Sequence, residues 1–316
     1  VTIKVLEAGL HSTIQDAGRH GYQTYGFAVS GPMDEFAAQI ANILVHNEPD
    51  EAVIEVSFIG PTLQFHQDSI VAITGSDMSA NLNDQAISLA RPISIKKGDI
   101  LQLRTAKTGA YGYIAIQGGL KLSDVLGSKS TLVRVTHNGL LGRPLKVGDS
   151  IPLQRLSVTV PSLDWGVAAS LFTYITDSNR MIRYLEGPQA EWFDVETFED
   201  KEWQLSTHSN RMGFRLEGEP VRLLTKEQLA SEATSFGAIQ VPANGLPIIL
   251  MADGQPTGGY PKIGQVIRAD LAKVSQTRPG SVIRFQRVSY KHAIDQLDQQ
   301  KQLIAALQYI MKEKWL

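Results

Sequence analysis

The chain has 316 residues, 43% of them hydrophobic and 20% charged, with a formal net charge of −2. That length accommodates two domains of ordinary size, and the near-neutral balance argues against a general nucleic-acid or anionic-membrane surface. The complete absence of cysteine removes disulfides, thiolate metal sites and cysteine nucleophiles, and fits a cytoplasmic protein.

The first seven residues alternate like a strand and lack the charged start and apolar core of a secretory signal. No apolar run approaches the roughly 18 residues needed to cross a bilayer. A helix is predicted over 34–45, capped by Asp34, with Phe36, Ile40, Ile43 and Leu44 on one stripe. Most of the chain beyond it reads as short β-rich strands punctuated by Gly, Pro, Asn or Asp: 70–74, 100–104, 111–116, 158–160 and 281–285. Thr225 to Gln228 has the spacing of a capping box and predicts a short helix. From Lys291 onward Ile294, Leu297, Ile304, Leu307 and Met311 recur at helical spacing, a stripe suited to packing on a domain or a partner.

A short internal repeat runs through this pattern. Residues 113–119 are followed about thirty positions later by 146–153, and residues 248–254 by 278–285. Each pair is an apolar strand ending in glycine, then a basic-x-Gly turn feeding an alternating strand. Residues 96–103 hold a third copy of the turn. Two copies of one β-rich domain account for this, with a boundary between about residues 155 and 185.

Several chemistries are absent from the sequence. The stretch GSKST at 127–131 is not a Walker loop, because Lys129 does not directly follow a glycine; it reads as a β-turn or a small anion-binding turn. No Gly-x-Gly-x-x-Gly opens a helix after a strand. The seven histidines are scattered without metal-ligand spacing, so no metal site is expected. There is no Gly-x-Ser-x-Gly elbow and no Met-Lys-Met biotin attachment site.

Three polar clusters remain. The first is 11–21 running into 30–34, where Arg19 either clamps a carboxylate or pairs with Asp16 to fix the loop. The second is 206–213, where Asn210 and Arg211 lie in a turn before a strand; Arg211 suits a planar carboxylate or carbamoyl group, or else serves an Asx-turn. The third, DGQPTGGYP at 253–261, comes after an apolar run. Three glycines and two prolines there cannot make a helix or a regular strand interior. Asp253 is a candidate base, Tyr260 a candidate donor, and Lys262 a candidate counter-charge.

Five motifs, QDAGRHG at 15–21, GSKST at 127–131, SNRMG at 209–213, NGLP at 244–247 and TGGYP at 257–261, occur in this order. Together they resemble the family of 5-oxoprolinase C subunits, also known as allophanate hydrolase subunit 2 or KipA-like biotin-dependent carboxyltransferase-domain proteins, from about residue 3 to about residue 290. The resemblance implies a mainly β fold of two tandem cyclophilin-like β-barrels, at 1–155 and 156–290, with a few short helices and a C-terminal helix at 291–316. It implies two partners, a KipI-like B subunit plus an ATP-using A subunit, with ATP-dependent opening of 5-oxoproline to glutamate. ATP then acts at the level of the complex, with no metal or biotin attached to this chain. Asp253 and Tyr260 become the expected catalytic groups. Arg19, Asn210, Arg211, Thr257, Gly258, Gly259 and Lys262 become the expected contacts to a small amide or lactam. The resemblance also admits a regulatory protein that antagonises a KipI-like kinase inhibitor, and a carboxyltransferase component of urea or allophanate metabolism.

Overall fold

A computed structural model describes residues 2–133, 140–154, 164–178, 180–225 and 227–315. The expected strand at 158–160 and the expected 155/156 boundary lie outside these residues. Contacts divide the chain into two compact units. One comprises residues 1–19, 30–176 and 302–316; the other comprises 20–29 and 177–301. The fold is mainly β in both.

In the first unit the strands form two sheets. One is six-stranded, in the order Ser150–Pro152, Thr2–Glu7, Thr62–Phe65, Ile100–Gln102, Asn81–Leu82, Gln85–Ala86. The other is five-stranded, in the order His11–Gln15, Val53–Ser57, Tyr111–Ile116, Ser69–Gly75, Pro92–Ile95. Their facing sides share one core, in which Ile3, Val5 and Phe65 meet Ile54, Val71 and Ile114. The other side of the five-stranded sheet is covered by the helix Glu35–Leu44. Three of that sheet's strands are therefore buried on both faces, which is why 70–74 and 111–116 read as continuous runs rather than alternation. The helix begins as its sequence requires, with the Asp34 carboxylate accepting from the Ala37 amide at 3.0 Å.

The second unit is a closed seven-stranded barrel: Arg180–Glu186, Lys262–Val266, Ala238–Gln240, Ile248–Leu250, Gly213–Glu217, Trp203–Leu205 and Val282–Arg287, the last returning parallel to the first. Tyr184, Phe198, Trp203 and Phe285 pack edge-on and stacked inside it. Closure pairs every strand and removes the exposed edges of an open sheet.

The repeated basic-x-Gly turn has one structure in all three copies. Asp99, Asp149 and Ser281 each donate a backbone N–H back to Lys96, Lys146 and Arg278. The glycines between them sit at φ 98°, 91° and 84°, the left-handed region that the third position of a type II turn demands. Each glycine then donates to a neighbouring strand, at Phe65, Val5 and Leu205.

Two sequence expectations are corrected. Thr225 does accept from the Glu227 amide at 3.2 Å, yet residues 227–230 are not helical. Glu232–Ala233 just beyond are taken as a strand by Thr257–Gly258, which draws the chain into an extended path. The C-terminal helix starts one residue early, at Tyr290, because the Ser289 hydroxyl accepts from the His292 amide at 3.2 Å, and it runs to Trp315. Its residues 290–301 belong with the second unit and 302–315 with the first.

Candidate functional site

In the barrel, the strands Gly213–Glu217 and Ile248–Leu250 bring two of the polar clusters together. Their ladder places Gly213 opposite Leu250. It continues outward through Met251 N–H to Met212 O at 3.1 Å and Asp253 N–H to Arg211 O at 2.8 Å. Arg211 and Asp253 are thus held across from one another by backbone pairing before any side chain is considered. Their side chains complete the match as a forked pair, Nε to Oδ2 at 2.8 Å and Nη2 to Oδ1 at 3.0 Å. The guanidinium side chain is only 7% exposed and the carboxylate 20%, so the pair is well desolvated and geometrically specific. Asn210 makes the turn that launches it, its side-chain oxygen accepting from the Met212 amide at 2.8 Å.

Beyond Asp253 the chain turns at Gly254, which donates to Met251 O at 2.8 Å, and enters the short strand Thr257–Gly258. This strand pairs with Glu232–Ala233. A Cβ at Gly258 would stand 2.8 Å from Gln240 Nε2, so a side chain there displaces the amide that donates to Tyr260 O. Tyr260 itself points outward and is 48% exposed. Lys262 turns back beneath the loop. Its ammonium donates to Ala233 O at 2.9 Å and pairs with Glu232 at 2.6 Å. The Lys262 ammonium holds the Glu232 carboxyl below its usual range. Gln189 fastens both partners, donating to Glu232 at 3.0 Å and accepting from the Lys262 amide at 3.0 Å.

In the second unit Asn210, Arg211 and Asp253 form one hydrogen-bonded set beyond the Gly213–Leu250 end of the ladder, whereas Thr257, Gly258, Gly259, Tyr260 and Lys262 carry a second set, with Lys262 opposite Gln240 at the other end. Gln189, Glu232 and Gln240 belong to the second set and carry no motif in the sequence. The signal available for Gln189 is the Gly187-Pro188 turn just before it; a Cβ at Gly187 would meet Lys262 O at 2.4 Å.

Arg19 lies in the first unit, apart from these sets in the chain's division. It is fully buried and donates to two carbonyls, Val125 O at 3.2 Å and Ser130 O at 2.7 Å. Asp16 is bound by the same loop. Its carboxylate accepts from the Ser128 hydroxyl at 2.6 Å, the Lys129 amide at 2.5 Å, the Ser130 hydroxyl at 2.7 Å and the Gly18 amide at 3.0 Å. The anion-binding turn at 127–131 is real, and the anion in it is the chain's own carboxylate. Burial alone would raise the Asp16 pKa, but these hydrogen bonds outweigh it and hold the group below the usual carboxylate range.

Among the described residues there is no group of three or more His, Asp or Glu arranged to hold a metal ion. No helix in the described residues is long and apolar enough to cross a membrane.

Comparison with known proteins agrees with the motif order. Residues 25–287 match the family described as carboxyltransferase domain, subdomain A and B. The chain is 38% identical over 309 residues to the 5-oxoprolinase C subunit of Escherichia coli, covering 95% of this chain and 96% of that one. It is likewise 38% identical to the 5-oxoprolinase C subunit of Haemophilus influenzae, over 92% and 93%. Urea amidolyase of Lachancea kluyveri is 33% identical over 96% of this chain, but only 18% of the amidolyase is spanned. The solved structure of K. lactis urea amidolyase superimposes with a TM-score of 0.90 at 31% identity, covering 97% of this chain and 20% of that one. The motifs, the fold and these matches agree, and the chain belongs to the carboxyltransferase domain, subdomain A and B, family.

Proposed function

We propose that this chain is the C subunit of an ATP-dependent 5-oxoprolinase, working with a KipI-like B subunit plus an ATP-using A subunit. The observation that carries this reading is one of coverage. The chain spans 96% and 93% of two proteins named as C subunits of 5-oxoprolinase, and only 18% of a urea amidolyase. 5-Oxoproline is a lactam, and its amide resonance makes the carbonyl carbon a poor target for water. ATP, used by the A subunit, supplies activation of that carbonyl oxygen by phosphorylation. The C subunit, together with its KipI-like partner, holds the phosphorylated lactam while water adds to the carbonyl carbon; the ring C–N bond breaks, its nitrogen takes up a proton, and phosphate leaves, giving glutamate, ADP and phosphate.

Two polar sets of the barrel supply the groups for this. Tyr260, half exposed at the loop tip, donates to the substrate, with the Thr257–Gly259 backbone beside it. Arg211 and Asp253, already engaged with one another, fix where the loop leaves the barrel. Asp253 becomes available as a base once substrate competes for Arg211. Lys262 holds the second side of the loop through Glu232.

The reading is tested with Tyr260→Ala and Arg211→Ala in the assembled complex, following glutamate release and ATP hydrolysis. Loss of turnover with retained assembly supports the site. Folded, assembled variants that turn over normally place the substrate elsewhere. A carboxyltransferase role is separated by avidin, to which the oxoprolinase reaction is indifferent because it needs no biotin.

A further inference from the structure

Where the barrel of the second unit closes, the strand Val282–Arg287 lies between Arg180–Glu186, which runs parallel to it, and Trp203–Leu205, which runs antiparallel. Ile283 and Phe285 are buried, while Val282 and Arg284 are exposed. Trp203 stands opposite Ile283 and Gln204 opposite Val282, so the register continued by one residue sets Glu202 across from Arg284. The two side chains do form an ion pair, with both about half exposed to solvent. A pair so exposed contributes about 1 kcal/mol or less and exchanges partners at little cost. Beside it is a cavity of about 250 Å³ lined by Ser178, Arg180, Glu202, Val282 and Arg284. The lining holds two guanidinium groups against one carboxylate, together with one hydroxyl. Its volume is below the roughly 300–1,000 Å³ of pockets that take drug-sized ligands, which points to a small occupant.

Arg180 is the residue that sets this cavity apart. It opens its strand in the buried phase of the alternation, the phase of Ile182 and Tyr184, and is only 9% exposed. A charge desolvated to this degree is costly unless its surroundings return the loss. The Lys273 carbonyl accepts from its Nη1 at 3.2 Å. Asp177 lies near enough to favour the charge, but its carboxylate is already engaged by the Lys273 ammonium at 2.8 Å. Burial draws the Arg180 pKa below the usual guanidinium value, and Asp177 offsets only part of this. A desolvated cation that faces a cavity is the arrangement by which proteins hold oxyanions, since the planar fork matches two oxygens at once.

We propose that this cavity is a binding site for a phosphate group, held by Arg180 from its buried side, by Arg284 from its exposed side and by the Ser178 hydroxyl. Glu202 is the internal competitor: its carboxylate engages Arg284 as a ligand oxygen would. Once Glu202 swings into solvent, the lining carries two positive charges, which a phosphate dianion balances. A carboxylate ligand carries one negative charge and balances only one of the two arginines. The small volume restricts the ligand to free phosphate or the phosphate group of a small ester. All five lining residues belong to the second unit, and the assignment does not rest on the lactam reading of the function.

The test is isothermal titration calorimetry on the full chain at about pH 8, where phosphate is mainly the dianion, at constant ionic strength. Inorganic phosphate, glycerol phosphate and acetate are the titrants; wild type, Arg284→Gln, Glu202→Gln and Arg180→Met are the proteins, each checked for fold by circular dichroism. Wild type is expected to bind phosphate at one saturable site. Arg284→Gln should weaken that binding about fivefold or more, and Glu202→Gln, which removes the competitor, should tighten it by a similar factor, the change that about 1 kcal/mol produces. Arg180→Met should abolish it; if that variant does not fold, the two exposed substitutions still decide the question. Tighter binding of glycerol phosphate identifies an ester as the ligand, and tighter binding of inorganic phosphate identifies the free ion; either supports the site. Absence of saturable phosphate binding by both wild type and Glu202→Gln overturns the proposal. So does acetate binding as tightly as phosphate, or an affinity for phosphate that neither Arg284→Gln nor Glu202→Gln changes.

Discussion

Replacing Asp16 by alanine or asparagine probes the tightest polar arrangement in the first unit. The carboxylate accepts from two hydroxyls and two amides at 2.5 to 3.0 Å. Hydrogen bonds to a charged group contribute about 1.5–3 kcal/mol each, against about 1 for a neutral one. The full sum is not lost on removal, because Ser128 and Ser130 rotate their hydroxyls to other acceptors and Asp16 is only partly buried, so water reaches the vacated turn. The amides of Lys129 and Gly18 cannot rotate. A net loss of roughly 3 kcal/mol is expected for Asp16→Ala, near the total for two stranded donors of this kind. Asp16→Asn is expected to lose about as much, since its amide group places donors against donors. The assay is urea unfolding at pH 7, reading the shift in midpoint at constant slope. The pH dependence has a definite sign. A carboxyl held below its ordinary value contributes stability above the unfolded-state pKa of about 3.9, and loses it as pH falls through the depressed native value. Wild type and Asp16→Asn therefore converge in stability toward low pH. A loss under about 0.5 kcal/mol at pH 7, the size of an ordinary surface change, or a difference that grows on acidification, refutes the argument.

Other consequences are as direct. Gly187→Ala drives a Cβ to 2.4 Å from Lys262 O, backbone that cannot step aside, and should destabilise the barrel by about 2 kcal/mol or more in thermal unfolding. Asp253→Ala leaves the 7%-exposed Arg211 side chain without its forked partner. A cost of about 3 kcal/mol is expected in chemical unfolding, as for a broken buried pair, and Arg211→Met with Asp253→Leu should recover part of it. Tyr113→Phe removes the hydroxyl that donates to Glu55 at 2.9 Å and accepts from the Asp34 amide at 2.7 Å; about 2 kcal/mol should be lost, with the helix Glu35–Leu44 exchanging its amide hydrogens faster than the barrel does.

How much of the fold is legible in the sequence depends on how local each determinant is. The helix at 34–45 is legible because its cap and its stripe lie within twelve residues. The basic-x-Gly turn is legible because a left-handed third position selects glycine, and all three copies share their hydrogen bonds. The capping box at 225 misleads, since its hydroxyl contact forms while the strand pairing of Glu232–Ala233 claims the chain just beyond. The candidate site is legible as a set of loops but not as a set of pairs. Arg211 meets Asp253, and Asp16 meets the 127–131 turn, across 42 and more than 110 residues of chain. Only the ladder register and the fold of the first unit bring them together. Gln189, Glu232 and Gln240 carry no motif at all, because their task is to hold Lys262 and Tyr260 rather than to form a turn of their own.

The central claim is most directly tested by reconstitution. The ATP-using protein and the KipI-like protein are combined with and without this chain, and ATP hydrolysis and glutamate release are measured as 5-oxoproline is varied. The account predicts 5-oxoproline-dependent glutamate release, coupled to ATP hydrolysis, only when this chain is present. An equal rate without it would contradict the account.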